Sequence, residues 1–474
     1  MILFQTMAAG HPSSSDAAGG GRHRFTSAFS AALGLACAFY LGQFSTRASG
    51  APPVTIASNS PGRLTQPLSV QQSVDLALVF SPAIQQARQE LEANYGISMQ
   101  IISVIIPKLK ADGGYTAYDA HNAETVGIPD NTHRWTGNIR LVQSIYEGGR
   151  LRSATKSARL TRERAELDFQ ALLATKIMEI RDAYYDTLLA IEQAKLAGVT
   201  IELLAKQRQE MKRRESAGLA QRYDILKAES ALANARPGLI RATNALRIAK
   251  LRFIKLVGLD MPESAQDDIP LVLSDPIETR TMDIDLHDAL AQAMKNRPEL
   301  EAQGKAAGLM RERLTQAKSG YKPSIQAIGG YGGLSDDLDR NIYGWFGGGQ
   351  LTWNIFDGLE TAGKIREARA RFEQAESSWA EMKRAVDLEV REAHGRLTES
   401  QDMVEAQRKA LELAVEGLRL ASSRRQAGEL TDVELLAAQT EVQQSKSAMA
   451  QAWHDYDTAL AALDRATGTP RPLK

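Results

Sequence analysis

The sequence predicts a mainly α-helical protein with a small transmembrane β-barrel. Three observations predict this fold class: an internal duplication, helical stretches of about 65 residues with apolar positions at coiled-coil spacing, and short segments that alternate apolar and polar residues. The 57 basic residues balance the 57 acidic ones. A chain without net charge is not expected to bind nucleic acid.

An export signal is expected at the N-terminus. Arg22 and Arg24 precede an apolar stretch at positions 25–44, and small residues follow at positions 48–50. This order of basic, apolar and small residues is typical of a cleaved secretory signal. We therefore expect a signal peptide at residues 1–50. An uncleaved membrane anchor is the alternative, because the apolar run approaches the roughly 20 residues that a span requires.

The mature chain is expected to begin with a flexible segment at residues 51–67 and to contain no cysteine. Cys37, the one cysteine of the sequence, lies inside the apolar run of the signal. We expect it to leave with the signal rather than to be lipidated, since Gly34 stands where the usual leucine would be. No later apolar run reaches about 18 residues, so we expect no transmembrane helix in the mature chain.

The rest of the chain contains two copies of one pattern. The matches at an offset of 216 residues include Ser81-Pro82 with Arg297-Pro298, and Pro107 with Pro323. The matches at an offset of 210 residues include Gly148 with Gly358, Arg181 with Arg391, and Gly258 with Gly468. A change of offset between two constant registers places the length difference in one loop, where such changes are tolerated.

The duplication sets the expected domain boundaries and the order of elements. We expect repeats at residues 68–258 and 282–468, an inter-repeat linker at 259–281 and a C-terminal tail at 469–474. Each copy is expected to run as helix, hairpin, long helix and shorter helix. In the first copy these elements are a helix at 70–106, strands at 108–118 and 135–146, and helices at 150–215 and 221–257.

The long helices carry the spacing of a coiled coil. In the second copy the seam steps alternately by three and four residues, through Ile365, Ala368, Phe372, Ala375, Trp379 and Met382. A helix of about 65 residues is roughly 100 Å long. Such a rod buries little of its surface alone, so we expect it to pack against the other copy and against other subunits.

The hairpin strands have one apolar and one polar face. The apolar side chains of the first hairpin are Leu109, Ala111, Tyr115, Trp135, Ile139, Leu141 and Ile145. Trp135, Tyr343, Trp345 and Trp353 are candidates for aromatic girdles at the membrane interfaces. The alternative is a pair of soluble amphipathic hairpins packed on helices. Four strands cannot close a barrel, because the smallest has about eight, so a membrane barrel requires several chains related by symmetry.

Several motifs resemble the outer-membrane efflux family over residues 68–468. They are the helix-to-strand prolines Pro107 and Pro323, the runs from Gln143 to Arg150 and from Asn354 to Gly358, and the Ala-Gly pairs at 217–218 and 427–428. The resemblance implies a homotrimer in the outer membrane lipid of a Gram-negative bacterium. Each chain would give four strands to a twelve-stranded barrel, and the helices would form a tunnel across the periplasm.

The resemblance also implies a function and partners. The protein would be the passive exit duct of a tripartite efflux or type I secretion system. Its periplasmic tip would dock a periplasmic adaptor protein and an inner-membrane pump or ABC transporter. Drug efflux and protein secretion both remain open, and the alternative function is a periplasmic coiled-coil scaffold or adaptor.

The same family pattern assigns residues at the tip. Gly218 and Gly428 would form the tip turns, and Asp224 and Glu434 would form the channel constriction. The chain departs from the family at the second acidic position, which is Lys227 in one copy and Ala437 in the other. The alternative is that both acids are ordinary first-turn residues favoured by the helix dipole. Pro237, whose counterpart is Ser447, is expected to kink its helix.

Enzymatic chemistry is not expected. The run from Gly358 to Lys364 resembles a nucleotide-binding loop, but Ile365 follows where a Ser or Thr would hold magnesium. His287, His394 and His454 are expected to stand alone on helices, without the spacing of a metal pair. We therefore predict no catalytic residue, no cofactor and no metal.

Overall fold

The computed structural model describes residues 66–117, 133–218, 220–260, 269–277, 281–335 and 343–469. The chain divides into units at residues 1–59 and 60–474, and all described residues belong to the second. The expected signal peptide with Cys37, nearly all of the segment at 51–67 and all but the first residue of the tail lie outside the described residues.

The two copies contain the same elements in the same order. The first copy consists of α1 (Val70–Phe80), α2 (Pro82–Ile102), β1 (Lys108–Ala117), β2 (His133–Glu147), α3 (Arg150–Ser216) and α4 (Arg222–Val257). The second copy consists of α5 (Leu286–Asn296), α6 (Pro298–Lys318), a 3₁₀ turn (Ser319–Tyr321), β3 (Ser324–Ser335), β4 (Tyr343–Thr352), α7 (Glu360–Gln426) and α8 (Asp432–Thr467). The expected mainly helical, duplicated fold is confirmed.

The expected single helix at 70–106 is wrong, because the chain breaks at Ser81. Ser81 has extended dihedral angles and ends α1, and Pro82 starts α2 at its first position. A proline disfavours helical dihedrals in the residue before it and has no N–H to donate to the preceding turn. The same break recurs at Arg297 and Pro298 in the second copy.

Two glycines close the repeats onto these breaks. Gly258 ends α4 with φ of 82°, and a Cβ there would lie 2.4 Å from the Phe80 carbonyl oxygen. Gly468 ends α8 with φ of 66°, and a Cβ there would lie 3.0 Å from the Asn296 backbone. Only glycine adopts this backbone without strain and permits so close an approach.

The coiled-coil seam of α7 is confirmed and extends beyond the predicted stretch. Its buried residues continue at steps of three and four through Val386, Val390, Ala393, Leu397, Ser400 and Val404. α3 and α7 each contain 67 residues, which corresponds to about 100 Å. α6 lies between them: Lys305 pairs with Glu163 of α3 at 2.9 Å, and the Trp379 indole of α7 donates to the Leu300 carbonyl at 3.2 Å.

Each copy has its own hydrophobic core where the shorter helices meet the long one. The first core surrounds Tyr184 and Phe253, and the second surrounds Trp453 and Tyr456. α4 continues through Pro237 without ending there. Among the described helices, none is both long enough and apolar enough to span a membrane.

Candidate functional site

The four strands form one antiparallel sheet in the order β1-β2-β3-β4. Its apolar face is open: Leu109 is 71% exposed and Trp345 is 73% exposed. The rings of cross-strand neighbours on this face contact each other in a tilted arrangement, with Tyr115 and Trp135 centroids 4.6 Å apart and Tyr331 and Trp345 centroids 5.1 Å apart. The side chains thus offer a continuous apolar surface that nothing in the described chain covers.

The sequence pattern did not predict an irregularity near the end of β2. The pairing of β2 with β3 shifts between Ser144 and Tyr146, so that Tyr146 lies opposite Ile325. Ile145 is the extra residue of this bulge. A bulge adds one residue to a strand and interrupts the alternation of its side chains between the two faces. Tyr146, the residue after the bulge, therefore lies on the apolar face with Ile325 instead of on the polar face.

The opposite face of the sheet is polar and crowded with glycine. Arg140 pairs with Asp112 across β1 and β2 at 3.1 Å. Phe346 lies opposite Gly330 in β4 and β3, and a Cβ on Gly330 would come within 2.7 Å of the Phe346 ring. The glycine therefore makes room for the one large ring on this face of β4.

The four candidate girdle residues lie at different levels of the sheet. Trp135 lies near the β1–β2 loop, and Tyr343 is the first residue of β4, opposite Gly333. Trp345 lies two residues further along β4. Trp353 lies beyond the other end of β4, where its indole donates to the Tyr321 carbonyl at 3.2 Å. The assignment of these residues to membrane girdles stays a prediction.

Gly218 and Gly428 lie at the turns that end the long helices. Their φ angles are 75° and 80°, in the left-handed region that glycine adopts freely. Gly218 N–H donates to the Glu215 carbonyl at 2.8 Å, and Gly428 N–H donates to the Arg425 carbonyl at 3.1 Å. The chain then reverses into the shorter helix in both copies.

Asp224 and Glu434 both occupy the third position of the helix that follows the turn. The Asp224 carboxylate accepts from the Gln221 N–H at 3.0 Å, and the Glu434 carboxylate accepts from the Thr431 N–H at 2.9 Å. These bonds complete capping boxes, and hydrogen bonds from Thr431 lower the pKa of Glu434. The two acids therefore have a structural role, and their role as a constriction stays a prediction.

An ion-pair bridge at the tip was not predicted from the sequence. Asp432, the first residue of α8, pairs with Arg214 near the end of α3 and with Arg425 of α7, the latter at 2.6 Å. It joins the helix pair of one copy to that of the other. Its counterpart in the first copy is Arg222, and this reversal of charge at the 210-residue offset is the signal that could have revealed it.

The three helical histidines do not stand alone, contrary to expectation. His454 contacts Asp186 of α3 at 2.8 Å and Asp455 at 3.0 Å, and these carboxylates raise its pKa against the opposing effect of burial. His394 contacts the Ile284 carbonyl at 2.8 Å. His287 lies beside Asp285 and Asp288 in an exposed group. Asp186 and Ile284 are distant in sequence from the histidines that they contact, so residue spacing could not reveal these two contacts, whereas Asp455, Asp285 and Asp288 are local neighbours.

The loop that resembled a nucleotide site already has its own cap. The Asp357 carboxylate accepts from the Thr361 N–H at 2.9 Å at the start of α7. A phosphate at a helix N-terminus needs these amides free. The aspartate occupies one of them and repels an anion, which agrees with the prediction that the loop does not bind nucleotide.

The chain is similar to known proteins over most of its length. The family model described as outer membrane efflux protein matches residues 73–259 and 289–469. Protein CyaE of Bordetella pertussis is 24% identical, covering 82% of each chain. Outer membrane protein TolC of Escherichia coli is 21% identical, covering 86% of this chain and 83% of TolC. The CmeC outer membrane channel of Campylobacter jejuni is 16% identical with a TM-score of 0.75, covering 84% of this chain and 85% of CmeC.

Proposed function

The chain belongs to the outer membrane efflux protein family, and from this premise we propose that three copies assemble into one continuous pore. The protein is an export duct of the outer membrane that extends into the periplasm, which sets aside the alternative of a soluble scaffold. We further propose that the duct works with a periplasmic adaptor and an inner-membrane pump, and that Asp224 and Glu434 lie at its entrance.

The observation that carries the trimer is the open sheet. β1 and β4 are its edges: each pairs with one neighbouring strand, and no strand of the described chain pairs with the outer side of either. Unpaired backbone amides and carbonyls are costly in lipid, so a sheet that enters a membrane has to close. β1 and β4 have 10 residues each, which suits a span of about 9–11. Three copies supply three times four strands, above the minimum of about eight.

The helices also expose surfaces that suit a second copy. Leu413 of α7 is 67% exposed, and Ile240 of α4 is 67% exposed. Leu388 and Leu420 extend the apolar surface along α7. Apolar surface of this extent on a long helix is typical of a subunit interface. In a closed ring of chains, α7 of one chain packs against a different surface of the neighbouring chain.

The tip is the part of the duct that partners would act on. Asp432 holds the two helix pairs of one chain together through Arg214 and Arg425. Contacts from a periplasmic adaptor and an inner-membrane pump or ABC transporter would separate these pairs and open the entrance. Three copies each of Asp224 and Glu434 would surround the axis with carboxylates that favour cations at the closed entrance.

Conductance in a planar lipid bilayer tests the pore. We expect the detergent-purified chain to give small, cation-preferring currents. The double variant Asp224→Ala with Glu434→Ala should conduct more and prefer cations less, whereas Lys227→Ala, which removes a cation one turn away on the same helix, should change the cation preference in the opposite direction. A folded trimer in lipid that passes no current contradicts the duct.

The bridge at the tip has a separate test. Asp432→Asn removes the charge that both arginines contact, so the closed tip should loosen and the open probability should rise several-fold. Glu429→Gln, in the same turn but outside the bridge, should leave gating unchanged. Equal effects of the two variants would show that the bridge does not hold the tip.

A further inference from the structure

A cationic groove lies on one face of the helix layer, at the end nearest the sheet. It has a volume of ≈ 790 Å³ and is formed by α3, α6 and α7. Four cations line it, namely Arg164, Arg313, Lys364 and Arg371, and Glu367 is the one carboxylate among its described lining residues. The groove thus carries an excess of positive charge in a chain that is neutral overall.

Two of the four cations are free to bind an anion. Arg164 pairs with Asp168 at 3.3 Å, and Lys364 pairs with Glu360 of its own helix. Within the described part of the chain, Arg371 has no carboxylate in ion-pair range, and Arg313 reaches only the Met310 sulfur at 3.9 Å. Two exposed guanidiniums on facing helices can both bind one multivalent anion.

The fold does not require these charges. At the offsets of the duplication, Arg313 corresponds to Ile97, Lys364 to Ala154 and Arg371 to Thr161. The equivalent positions on α2 and α3 of the first copy therefore carry none of these three cations. Because neutral residues occupy these positions in one copy, the packing of the repeat does not depend on the three cations.

Helix geometry indicates which side of the duct the groove faces. Lys364 and Arg371 occupy one heptad position of α7. His394 and Gln401 are two heptad positions after that one, which places them about 200° away around the helix axis. His394 contacts the Ile284 carbonyl at 2.8 Å, and Gln401 donates to the Met282 carbonyl at 2.5 Å. The segment leading into α5 thus packs on the face opposite the groove. If this segment lay inside the proposed duct, it would fill the lumen. We therefore place the segment on the outside of the duct, and the groove, on the opposite face of α7, then faces the lumen.

We propose that this groove is a binding site for multivalent anions on the inner wall of the duct and selects anionic cargo at the membrane end. The proposal rests on the proposed duct, in which a trimer repeats the groove three times. Glu392 and Glu399 continue the heptad position of Lys364 and Arg371 toward the tip. They lie at least about 32 Å beyond Arg371, more than three screening lengths at physiological salt, so they do not neutralise the groove.

Isothermal titration of the full detergent-purified chain with inorganic tripolyphosphate tests the site. We expect wild-type binding that weakens with salt, and a loss of about tenfold or more in the variant Arg313→Gln with Arg371→Gln. The matched control is Arg311→Gln with Arg366→Gln, which removes one arginine from each of the same two helices outside the groove. Absence of wild-type binding, or an equal loss in both variants, overturns the proposal.

Bilayer recording separates the groove from the duct. Tripolyphosphate should block wild-type current and the control variant, and should block the groove variant about tenfold less while its conductance persists. Equal block of all three proteins overturns the groove. If none of the three conducts but tripolyphosphate binding still depends on Arg313 and Arg371, the duct is wrong and the anion site stands.

Discussion

Arg181 in α3 and Arg391 in α7 occupy equivalent positions of the two copies, but their surroundings differ. The Arg181 side chain is 4% exposed and donates to Asp464 of α8 at 2.8 Å. The Arg391 side chain is 53% exposed and pairs with Asp387 of its own helix. Inside one chain, α3 has neighbours on both sides, whereas α7 keeps one side open. In the proposed trimer, a second chain would cover this open side of α7.

Removal of the two arginines should have very different effects on stability. Arg181→Ala takes the guanidinium away from buried Asp464, and such losses cost about 3–5 kcal/mol. Arg391→Ala removes an exposed pair worth at most about 1 kcal/mol. Denaturant unfolding in detergent measures both. The double variant Arg181→Met with Asp464→Leu should recover much of the stability that Arg181→Ala loses. A similar loss of stability for Arg181→Ala and Arg391→Ala would mean that the two positions have equivalent surroundings.

The two glycines that end the shorter helices, Gly258 and Gly468, differ in how closely the neighbouring backbone approaches them. Gly258→Ala adds left-handed strain and a Cβ 2.4 Å from a carbonyl oxygen, so we expect a loss of about 3 kcal/mol. Gly468→Ala meets its neighbour at 3.0 Å, so its loss should be about 1–2 kcal/mol. Thermal unfolding of the two variants, with Gly363→Ala as an unstrained control, checks the order. A larger loss at Gly468 would contradict it.

A third comparison uses pH. Burial raises the pKa of Asp182 to about 6, and the negative charges of Asp186 and Glu179 raise it as well. The positive charges of Arg181 and His454 lower this pKa but do not cancel the increase. Because the folded pKa exceeds the unfolded one, ionisation opposes folding: the penalty is absent below about pH 4, grows up to about pH 6 and is constant above. Asp182→Asn should therefore stabilise the protein by about 2 kcal/mol at pH 8 and leave it unchanged near pH 4.

The equivalent residue provides the control for this titration. Glu392 is the counterpart of Asp182 and is exposed on α7, so Glu392→Gln should change stability little at either pH. Urea unfolding of both variants at pH 4 and pH 8 is the measurement. A gain for Asp182→Asn that does not depend on pH would show that the carboxylate is not strained by burial.

Features that depend on the spacing of apolar residues, or on proline and glycine at the ends of elements, were predictable from the sequence. The seam of α7 follows from the spacing around Phe372, and the turns that end the two long helices follow from Gly218 and Gly428. Strand ends were placed within two residues, since proline and glycine mark them. The break before Pro82 had a local signal as well, but apolar periodicity on both sides of it suggested one continuous helix.

Features that depend on residues distant in sequence were not predictable. Arg181 and Asp464 are 283 residues apart, and nothing near either identifies the other. The bridge of Asp432 to Arg214 joins the two copies in the same way. For Asp224 and Glu434, the capping boxes were readable from the sequence as a first-turn role, but the axis they would surround exists only in an assembly.

In the proposed assembly, three chains close one barrel, and disulfide trapping between the sheet edges tests this closure. In a Cys37→Ser background, Thr116→Cys on β1 would be combined with Gly344→Cys or Gly348→Cys on β4, all on the polar face. We expect oxidation of the folded protein in lipid to yield cross-linked species of two and three chains and none larger. A protein that stays a single chain, or a ladder that continues past three, would contradict it.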